Sequence, residues 1–335
     1  MLPEEIEVYR DRMWRRDPEY RVDDVYAAER FIEDVGFCEA LTDARRPGPS
    51  LYVAVCGRRD AHMPRNVQKD PESRLAWSIK DEVMRRGRCF YAKLIKGRST
   101  FITPHLLPFF NALWGVPLRL EKEVLSADAQ VILKIMRDEW EMATRDLREE
   151  SGIKERARFD RAMVQLQKTL KIIPSDVLYE PTFTYIWSIP EARFPDQLKE
   201  KVKRELALRE IARAYLAGAG MTFRGELARV TGLRSPEAGL GNWALVDEGF
   251  AERARGSAPS VARSRQTAWP RNRSARHVAP RPANQHPVTK RDSNGGPTRR
   301  RSVSEPSWPC RQGSVRRGID RSGSAQNPLI DSRTR

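Results

Sequence analysis

The stretch SADAQVILKIMRDEWEMATRDLREESGIKERARFDRAMVQLQKTLKIIP, residues 126–174, decides the fold. Its first part predicts a helix, because apolar residues recur along one helical face behind a capping serine, Ser126. These apolar residues are Ala129, Ile132, Leu133, Met136 and Trp140. TRDLREESGI predicts a second, short helix capped by Thr144, which ends at Gly152 because glycine suits a left-handed turn.

A third helix is predicted over KERARFDRAMVQLQKTLK, with a buried stripe of Phe159, Met163, Leu166 and Leu170. KIIP and FTYIWSI then predict two short strands around a loop. Helix, short helix, glycine turn, helix and β-hairpin is the order of a winged helix, a variant of the helix-turn-helix. The sequence therefore predicts a winged-helix unit over residues 121–195.

The same order recurs further along the chain, over residues 196–253. KRELALREIARAYLAG, MTFRGELARVTGL and SPEAGLGNWALVDEG predict its three helices, the last capped by Ser235. The two units match at an offset of 80 residues, pairing Asp146-Leu147 with Glu226-Leu227 and Ser151-Gly152-Ile153 with Thr231-Gly232-Leu233. Such a match indicates an internal repeat of domain size. No return strand is evident after Arg253, so the wing of this unit is predicted to be incomplete.

Residues 1–120 contain related parts in a less regular order. DDVYAAERFIEDVG and SRLAWSIKDEVMRRG predict helices, SLYVAVCG predicts a buried strand, and HLLPFFNALWG predicts a short apolar helix. RCFYAKLI and TFITP predict a hairpin about the turn Lys96-Gly97-Arg98-Ser99. We therefore expect an N-terminal winged-helix-like region. The predicted fold class is mainly α with short β-hairpins (α+β), arranged as tandem winged-helix units.

Most of the net positive charge comes from the last part of the chain. The formal net charge is +16, yet residues 254–335 hold 18 of the 61 Lys and Arg and four of the 45 Asp and Glu. The first 253 residues are therefore nearly neutral. The Arg, Ser, Pro and Gly content of residues 254–335 predicts a disordered basic tail, which either binds phosphate backbones without sequence preference or serves as a solvated extension.

Cysteine spacing and hydropathy exclude several classes of protein. The four cysteines, Cys38, Cys56, Cys89 and Cys310, form no C-x2-C pair and have no grouped histidines, so neither a zinc site nor a disulfide framework is expected. We also expect no cofactor. The N-terminal residues lack the apolar core of a signal peptide, and no stretch approaches 18 uncharged apolar residues. The sequence thus predicts a cytoplasmic protein, associated with the nucleoid if bacterial.

Two groups of basic residues are candidate contacts to double-stranded DNA. The third helix of the middle unit carries, away from its apolar stripe, Lys154, Arg156, Arg158, Arg161 and Lys168. In a winged helix this element enters the major groove. The alternative is a solvated face balanced by Glu155 and Asp160. The hairpin residues Lys96 and Arg98 have two similar interpretations, a wing that contacts phosphates or a soluble turn.

The loop CGRRDAHMPRNVQKDPES, residues 56–73, is the most polar segment between predicted elements. Its candidate DNA-binding residues are Arg58, Arg59, Arg65 and Lys69. Gln68 and Asp70 form a Gln-x-Asp pair between these cations. A polar density of this kind exceeds what packing demands and favours a functional site, although a solvated loop could have the same composition.

DLREESGI, GELARVTGL and the preceding Gln-x-Asp resemble the AlkZ/YcaQ family of winged-helix DNA glycosylases, and more closely its AlkZ-related branch. The resemblance covers about residues 25–253. It implies a monofunctional glycosylase that hydrolyses the N-glycosidic bond of alkylated purines without a metal, with Gln68 and Asp70 as the matching catalytic pair. The family's motif usually follows apolar residues, whereas this chain has Pro64-Arg65-Asn66-Val67.

Two other classes of function remain open on the sequence. A non-catalytic winged-helix regulator or scaffold would have the same repeats without a reactive Gln68 and Asp70. A protein-binding module would be favoured if the rest of the chain covered the basic residues of the middle unit's third helix.

Overall fold

The structure is a computed structural model that describes residues 2–254 and 261–264, all within one compact unit, Met1–Ala275. The predicted disordered tail lies outside the described residues, except for its first residue and the short segment 261–264. Cys310 is also outside them.

The chain begins with a helix, α1 (Glu4–Met13). The N-terminal repeat follows and consists of α2 (Val25–Val35), β1 (Phe37–Glu39), α3 (Leu51–Cys56), α4 (Pro71–Arg86), β2 (Phe90–Lys93) and β3 (Ser99–Ile102). β3 lies between β1 and β2 and pairs antiparallel with both. Asp24 caps α2, because its side chain accepts a hydrogen bond from the backbone N–H of Ala27 at 2.6 Å. A 3-10 turn over Ile95–Gly97 joins β2 to β3.

Two helices, α5 (Leu107–Trp114) and α6 (Glu121–Val124), connect the N-terminal repeat to the middle repeat. The middle repeat consists of α7 (Ala127–Glu139), β4 (Glu141–Ala143), α8 (Thr144–Glu150), α9 (Arg156–Lys168), β5 (Ile173–Leu178) and β6 (Thr184–Ser188). The sheet order is β4-β6-β5. Ser126 caps α7 as predicted. Thr144 does not cap α8: it is the first helical residue, and its hydroxyl donates to the Tyr185 carbonyl at 2.9 Å.

The third repeat consists of α10 (Pro195–Lys199), α11 (Arg204–Ala219), β7 (Met221–Thr222), α12 (Glu226–Thr231), α13 (Ser235–Asp247), β8 (Ala251–Ala254) and β9 (Val261–Ser264). The prediction of an incomplete wing is wrong, because β9 returns between β7 and β8 and pairs antiparallel with both. VARS is short and sits in an Arg-, Ser- and Pro-rich stretch, so it carries little apolar signal. Ser235 also differs from its prediction, because Arg234 occupies the N-cap of α13.

The predicted strand over SLYVAVCG is a helix, α3, and all six of its residues are buried. A short apolar run enclosed on every side shows no hydrophobic periodicity, so the pattern alone cannot separate helix from strand. The valines and the tyrosine favour a strand, but packing outweighs that preference in this helix. The other predicted helices and strands are confirmed within the described residues, with small shifts at their ends.

The 80-residue correspondence between the second and third repeats is visible in three dimensions. Leu147 in α8 and Leu227 in α12 are both buried. Gly152 and Gly232 follow these helices with φ of 65° and 78°, a left-handed conformation that glycine adopts without steric cost. Three times, then, the chain forms helix, strand, two helices and hairpin, with the same strand order in each sheet.

Two large hydrophobic cores and a small cluster of Ile6 and Met221 lie beneath the repeats in the described part of the chain. The larger core joins the N-terminal and third repeats, with Phe31 and Phe101 in the same cluster as Ile211. The middle repeat has its own core, which includes Ile132 and Phe159. Tyr185 of β6 packs against both cores, so the middle hairpin links the middle repeat to the other two. None of the helices among the described residues is long and apolar enough to cross a membrane.

The start of α13 makes stability depend on pH through Glu237. Hydrogen bonds from Arg234 and Arg204 lower the pKa of Glu237 from 4.5 to about 2. A carboxyl with a lowered pKa stabilises the fold above its unfolded value, and this stabilisation disappears as pH falls from about 4.5 toward 2. We expect Glu237→Gln to lower the urea midpoint at pH 7 and to reduce the loss of midpoint between pH 7 and pH 3. An unchanged loss over that pH range would contradict the prediction.

Candidate functional site

The loop between α3 and α4 is held at several points. Gly57 ends α3 in the left-handed conformation. The Tyr52 hydroxyl donates to the carbonyl of His62 at 3.0 Å, and the Asn66 side chain accepts from the Lys69 N–H at 3.2 Å. Ala61 is fully buried. The loop therefore presents a defined backbone just ahead of α4.

Asp70 occupies the N-cap of α4. Its Oδ2 accepts a hydrogen bond from the backbone N–H of Ser73 at 2.7 Å, and Pro71 follows at the first helical position. Its Oδ1 has no hydrogen-bond partner among the described residues. The positive end of the α4 dipole lies at this carboxylate and stabilises its negative charge. One carboxylate oxygen thus holds the helix start, while the other is available to a ligand or a water.

Gln68 is exposed in the turn immediately before Asp70. Within residues 2–254 and 261–264 its side-chain amide makes no hydrogen bond. The structure therefore places the predicted pair in one loop, two residues apart, with free hydrogen-bonding groups on both side chains.

The cations of this loop fall into two classes. Arg58 pairs with Glu72, with Nη2–Oε2 at 2.7 Å, and this contact lowers the pKa of Glu72. Arg59 pairs with Asp11 of α1, with Nε–Oδ2 at 2.8 Å. Arg65 and Lys69 are exposed and have no ion pair in the described part of the chain. Of the four predicted DNA contacts in the loop, only these last two are unpaired there.

The hairpin turn of the N-terminal repeat lies near residues of both other repeats. A Cβ added to Gly97 would lie 3.3 Å from Cε of Lys168, at the end of α9. The neighbouring Lys96 has φ of 51° and contacts the region of Gly232, which follows α12. Arg98 points elsewhere, because its Nε donates to Glu39 at 2.6 Å. This turn thus lies close to both the middle and the third repeat, and Lys96 and Lys168 are each exposed near it.

The exposed face of α9 is partly balanced by acids. Arg158 makes two hydrogen bonds to Asp128, at 2.7 and 2.9 Å. Two looser ion pairs are Arg156–Asp160 at 3.6 Å and Arg161–Glu155 at 3.8 Å. Exposed pairs of this length contribute little and rearrange easily. The sequence alternative of a face balanced by Glu155 and Asp160 therefore matches the geometry, although the arginines remain accessible.

Lys154 is exposed beside these pairs and has no ion pair among the described residues. Within residues 2–254 and 261–264, the basic residues of α9 are left accessible, since the Arg156 and Arg161 side chains are 68% and 70% exposed.

A buried charged cluster, which was not predicted from the sequence, joins α4 to the hairpin of β5 and β6. The ammonium of Lys80 pairs with Asp81 and donates to the Tyr185 hydroxyl at 3.1 Å. Asp81 also accepts from the Tyr179 hydroxyl at 2.5 Å. Burial disfavours the charged Lys80, but Tyr91, Tyr185 and Asp81 together raise its pKa above the usual value. The sequence signal for this cluster was the pair of adjacent charged residues, Lys80 and Asp81, on the buried side of a predicted helix.

The three cysteines among the described residues are buried thiols. Cys38, Cys56 and Cys89 are free thiols and buried, and burial raises the pKa of Cys56 and of Cys89 to about 12. No group of three or more His, Cys, Asp and Glu that could hold a metal occurs in the part of the chain that the structure describes.

Comparison with known proteins assigns the family. The family model described as AlkZ related matches residues 22–214, more than half of the chain. The chain belongs to the AlkZ-related family. The resemblance inferred from the sequence is thereby confirmed. For this AlkZ-related chain, the matched region contains the loop with Gln68 and Asp70 as well as the middle repeat, and it ends within α11.

A solved structure supports the same fold for this AlkZ-related protein. The Streptomyces sahachiroi DNA glycosylase AlkZ is 12% identical, with a TM-score of 0.51, and the match covers 80% of this chain and 71% of that one. Among curated proteins no sequence matches. The structural match covers more of this chain than the family model does, so the likeness in fold extends beyond residues 22–214. The predicted α+β class is confirmed.

Proposed function

We propose that the protein binds double-stranded DNA through its three repeats, which we infer to be winged-helix units. The order of elements in each repeat and the common strand order carry this inference, because winged helices place a helix in the DNA groove and a hairpin on the backbone. The proposed units span residues 1–120, 121–195 and 196–264, the last extended past 253 to include β9. The proposed basic tail then begins after β9.

Exposed cations supply the electrostatic part of this proposal. Lys96 and Lys168 are both exposed near the hairpin turn of the N-terminal repeat, and Arg65 and Lys69 have no ion pair among the described residues of the loop before α4. Arg156 and Arg161 have only loose partners, which phosphates can displace. Such groups attract the phosphate backbone by releasing counterions. Arg58, Arg59, Arg98 and Arg158, also predicted as DNA contacts, are engaged in closer ion pairs and we assign them a supporting role.

We further propose that the protein hydrolyses the N-glycosidic bond of alkylated purines in DNA. Alkylation makes the purine cationic and therefore a good leaving group. Water adds to C1′ as the C1′–N9 bond breaks, Asp70 Oδ1 takes the proton of the water, and the purine leaves as a neutral base. The Asp70 carboxylate also stabilises the positive charge on the sugar, and the Gln68 amide orients the water. No step requires a metal.

The observation that carries the catalytic proposal is the free Oδ1 of Asp70 at a helix start, with the free amide of Gln68 in the turn before it, in an AlkZ-related chain. The test is incubation of the full-length protein with duplex DNA that contains N7-alkylguanine, followed by quantification of the released base. We expect release above the spontaneous rate. Release equal to the spontaneous rate would contradict the proposal.

A non-catalytic DNA-binding regulator or scaffold is the second candidate. The observation that favours it is that residues of the loop between α3 and α4 already have structural roles: Asp70 caps α4, and Arg58 and Arg59 are ion-paired. This candidate predicts DNA binding without base release. A protein-binding module is less well supported, because the basic face of α9 is exposed. A cytoplasmic location, on the nucleoid if the source is bacterial, stays a prediction.

A further inference from the structure

An exposed aromatic surface lies between α4 and the middle hairpin. Trp77 on α4 is 39% exposed, and Tyr179 and Phe183, in the connection between β5 and β6, are 55% and 46% exposed. Leu75 and Leu178 extend the surface. Large apolar side chains gathered in one exposed place usually mark a binding surface, because a solvated face gains nothing from them.

Two of these rings line one shallow cavity. The cavity measures about 450 Å³ and is lined by Arg74, Leu75, Trp77, Ser78 and Tyr179. Trp77 belongs to the N-terminal repeat and Tyr179 to the middle one, so the cavity exists only when both repeats are folded together. It is shallow and open to solvent, so it offers a face for one flat ring system and not an enclosed pocket.

The buried charged cluster of Lys80 and Asp81 contacts both Trp77 and Tyr179. The Lys80 ammonium lies 4.8 Å from the centre of the Trp77 ring, and Asp81, its ion-pair partner, accepts the hydrogen bond from Tyr179. Phe183 packs edge-on against Tyr179 with ring centres 5.7 Å apart. Trp77 and Tyr179 therefore already have contacts that orient them without a ligand, and such preorganisation lowers the entropy cost of binding.

The cavity also lies on the same side of α4 as the proposed catalytic carboxylate. Asp70, Arg74, Trp77 and Ser78 are spaced i, i+4, i+7 and i+8 from the N-cap, which places them along one helical face. At 1.5 Å per residue, Trp77 is about 10 Å from Asp70 along the helix axis. That distance corresponds to about three base steps of 3.4 Å along a DNA strand.

We propose that this cavity binds one unpaired DNA base, stacked on Trp77 and enclosed by Tyr179, while Arg74 contacts an adjacent phosphate. Every base has a flat aromatic face, and stacking on protein rings is the general means of holding unpaired bases. Arg74 is exposed and has no ion pair in the described residues, so its charge is free for a phosphate. The ligand class rests on the proposed function, and the cavity adds a preference for DNA with a disrupted base pair.

The test compares two duplexes that differ only by a one-base bulge, with binding followed by fluorescence anisotropy of labelled DNA and the full-length protein. We expect wild type to bind the bulged duplex more tightly. Trp77→Ala should weaken binding of the bulged duplex about tenfold and leave the paired duplex unaffected, because only the bulged duplex offers a base to stack on this ring. Trp77→Phe should retain most of the preference.

Two further variants separate this effect from folding and from general surface changes. Tyr179→Leu removes the opposite ring at a more exposed position, and it should produce the same selective loss if Trp77→Ala is poorly folded. Tyr26→Ala removes a comparably exposed ring on α2 and should change neither affinity.

Each other outcome overturns a specific claim. If wild type binds both duplexes equally and Trp77→Ala changes nothing, the base site is wrong while DNA binding stands. If no duplex is bound, the proposed function itself is wrong. If Trp77→Ala instead converts a dimer to a monomer in light scattering, the surface is a contact between protein chains and the base site is wrong.

Discussion

Substitution of Arg10 by methionine is expected to lower the free energy of unfolding by about 3–5 kcal/mol, the usual loss when one partner of a buried ion pair is removed. Arg10 is 4% exposed and anchors α1 to the third repeat. Its guanidinium donates to the carbonyls of Ala219 at 2.9 Å and Met221 at 2.7 Å, and it contacts Glu226 at 3.2 Å.

The loss is large because three acceptors depend on one side chain. Without Arg10, the Glu226 carboxylate, also buried, loses its cationic partner, although it still accepts a hydrogen bond from the Phe223 N–H at 3.0 Å. Two carbonyls lose a charged donor as well, and an unsatisfied buried acceptor is costly. Lysine cannot replace the planar fork that reaches all three acceptors.

Urea unfolding of the full-length protein measures this effect. Arg119→Met, at an exposed position without an ion pair in the described residues, is the matched control and should change the unfolding free energy by under about 0.5 kcal/mol. Adding Glu226→Gln to Arg10→Met should recover part of the loss, because the unpaired charge is then absent. A loss below 1 kcal/mol for Arg10→Met would show that α1 is not anchored in this way.

Asp70→Asn is expected to reduce base release from alkylated DNA by about 100-fold or more, the usual size of a general-base contribution, and to leave stability unchanged. Asparagine caps a helix as well as aspartate does, because its side-chain oxygen can accept the same N–H of Ser73. It cannot take the proton of the water, and it carries no negative charge to stabilise the sugar cation.

Asp70→Ala is the informative comparison. It removes both the carboxylate and the cap, so base release should fall as far as in Asp70→Asn while stability falls by about 1 kcal/mol. Gln68→Ala leaves the cap intact and should lower release without affecting stability. If Asp70→Asn retained full release and only Asp70→Ala lost it, the role of Asp70 would be limited to capping, and the catalytic proposal would be wrong.

The middle and third repeats were the most predictable parts of the fold. Their helices have one buried face each, so the spacing of residues such as Ile132, Met136 and Leu208 records the helix directly. The turn after the short helix requires a left-handed residue, and Gly152 and Gly232 mark it in both repeats. In these two repeats the local preferences of the residues agree with the tertiary structure, so the helices and turns could be predicted from the sequence.

The sequence could not predict α3 or β9 for two different reasons. α3 is buried on every side, so its residues show no periodicity. β9 is four residues long, and it is positioned by pairing with β7 and β8 and not by its own composition. In both cases the deciding interactions come from residues distant in the chain.

For the candidate site, the sequence located the loop but not the state of its charges. Arg59 pairs with Asp11, 48 residues away, and the cluster around Lys80 depends on a hairpin about 100 residues later. Composition counts such arginines as free cations, whereas tertiary contacts determine which remain free. The approach of Lys168 to the hairpin turn at Gly97 likewise follows from the packing of repeats against one another.

The salt dependence of duplex DNA binding tests most directly whether the repeats, and not the basic tail, bind DNA. The full-length double variant Lys96→Glu/Lys168→Glu is compared with Lys122→Glu/Lys134→Glu, an equal change of charge at exposed positions on α6 and α7. We predict that the first variant lowers affinity at least about tenfold and reduces the slope of log affinity against log salt by about 2, while the second matches wild type. Identical affinities and slopes for both double variants would contradict DNA binding by the repeats at this surface.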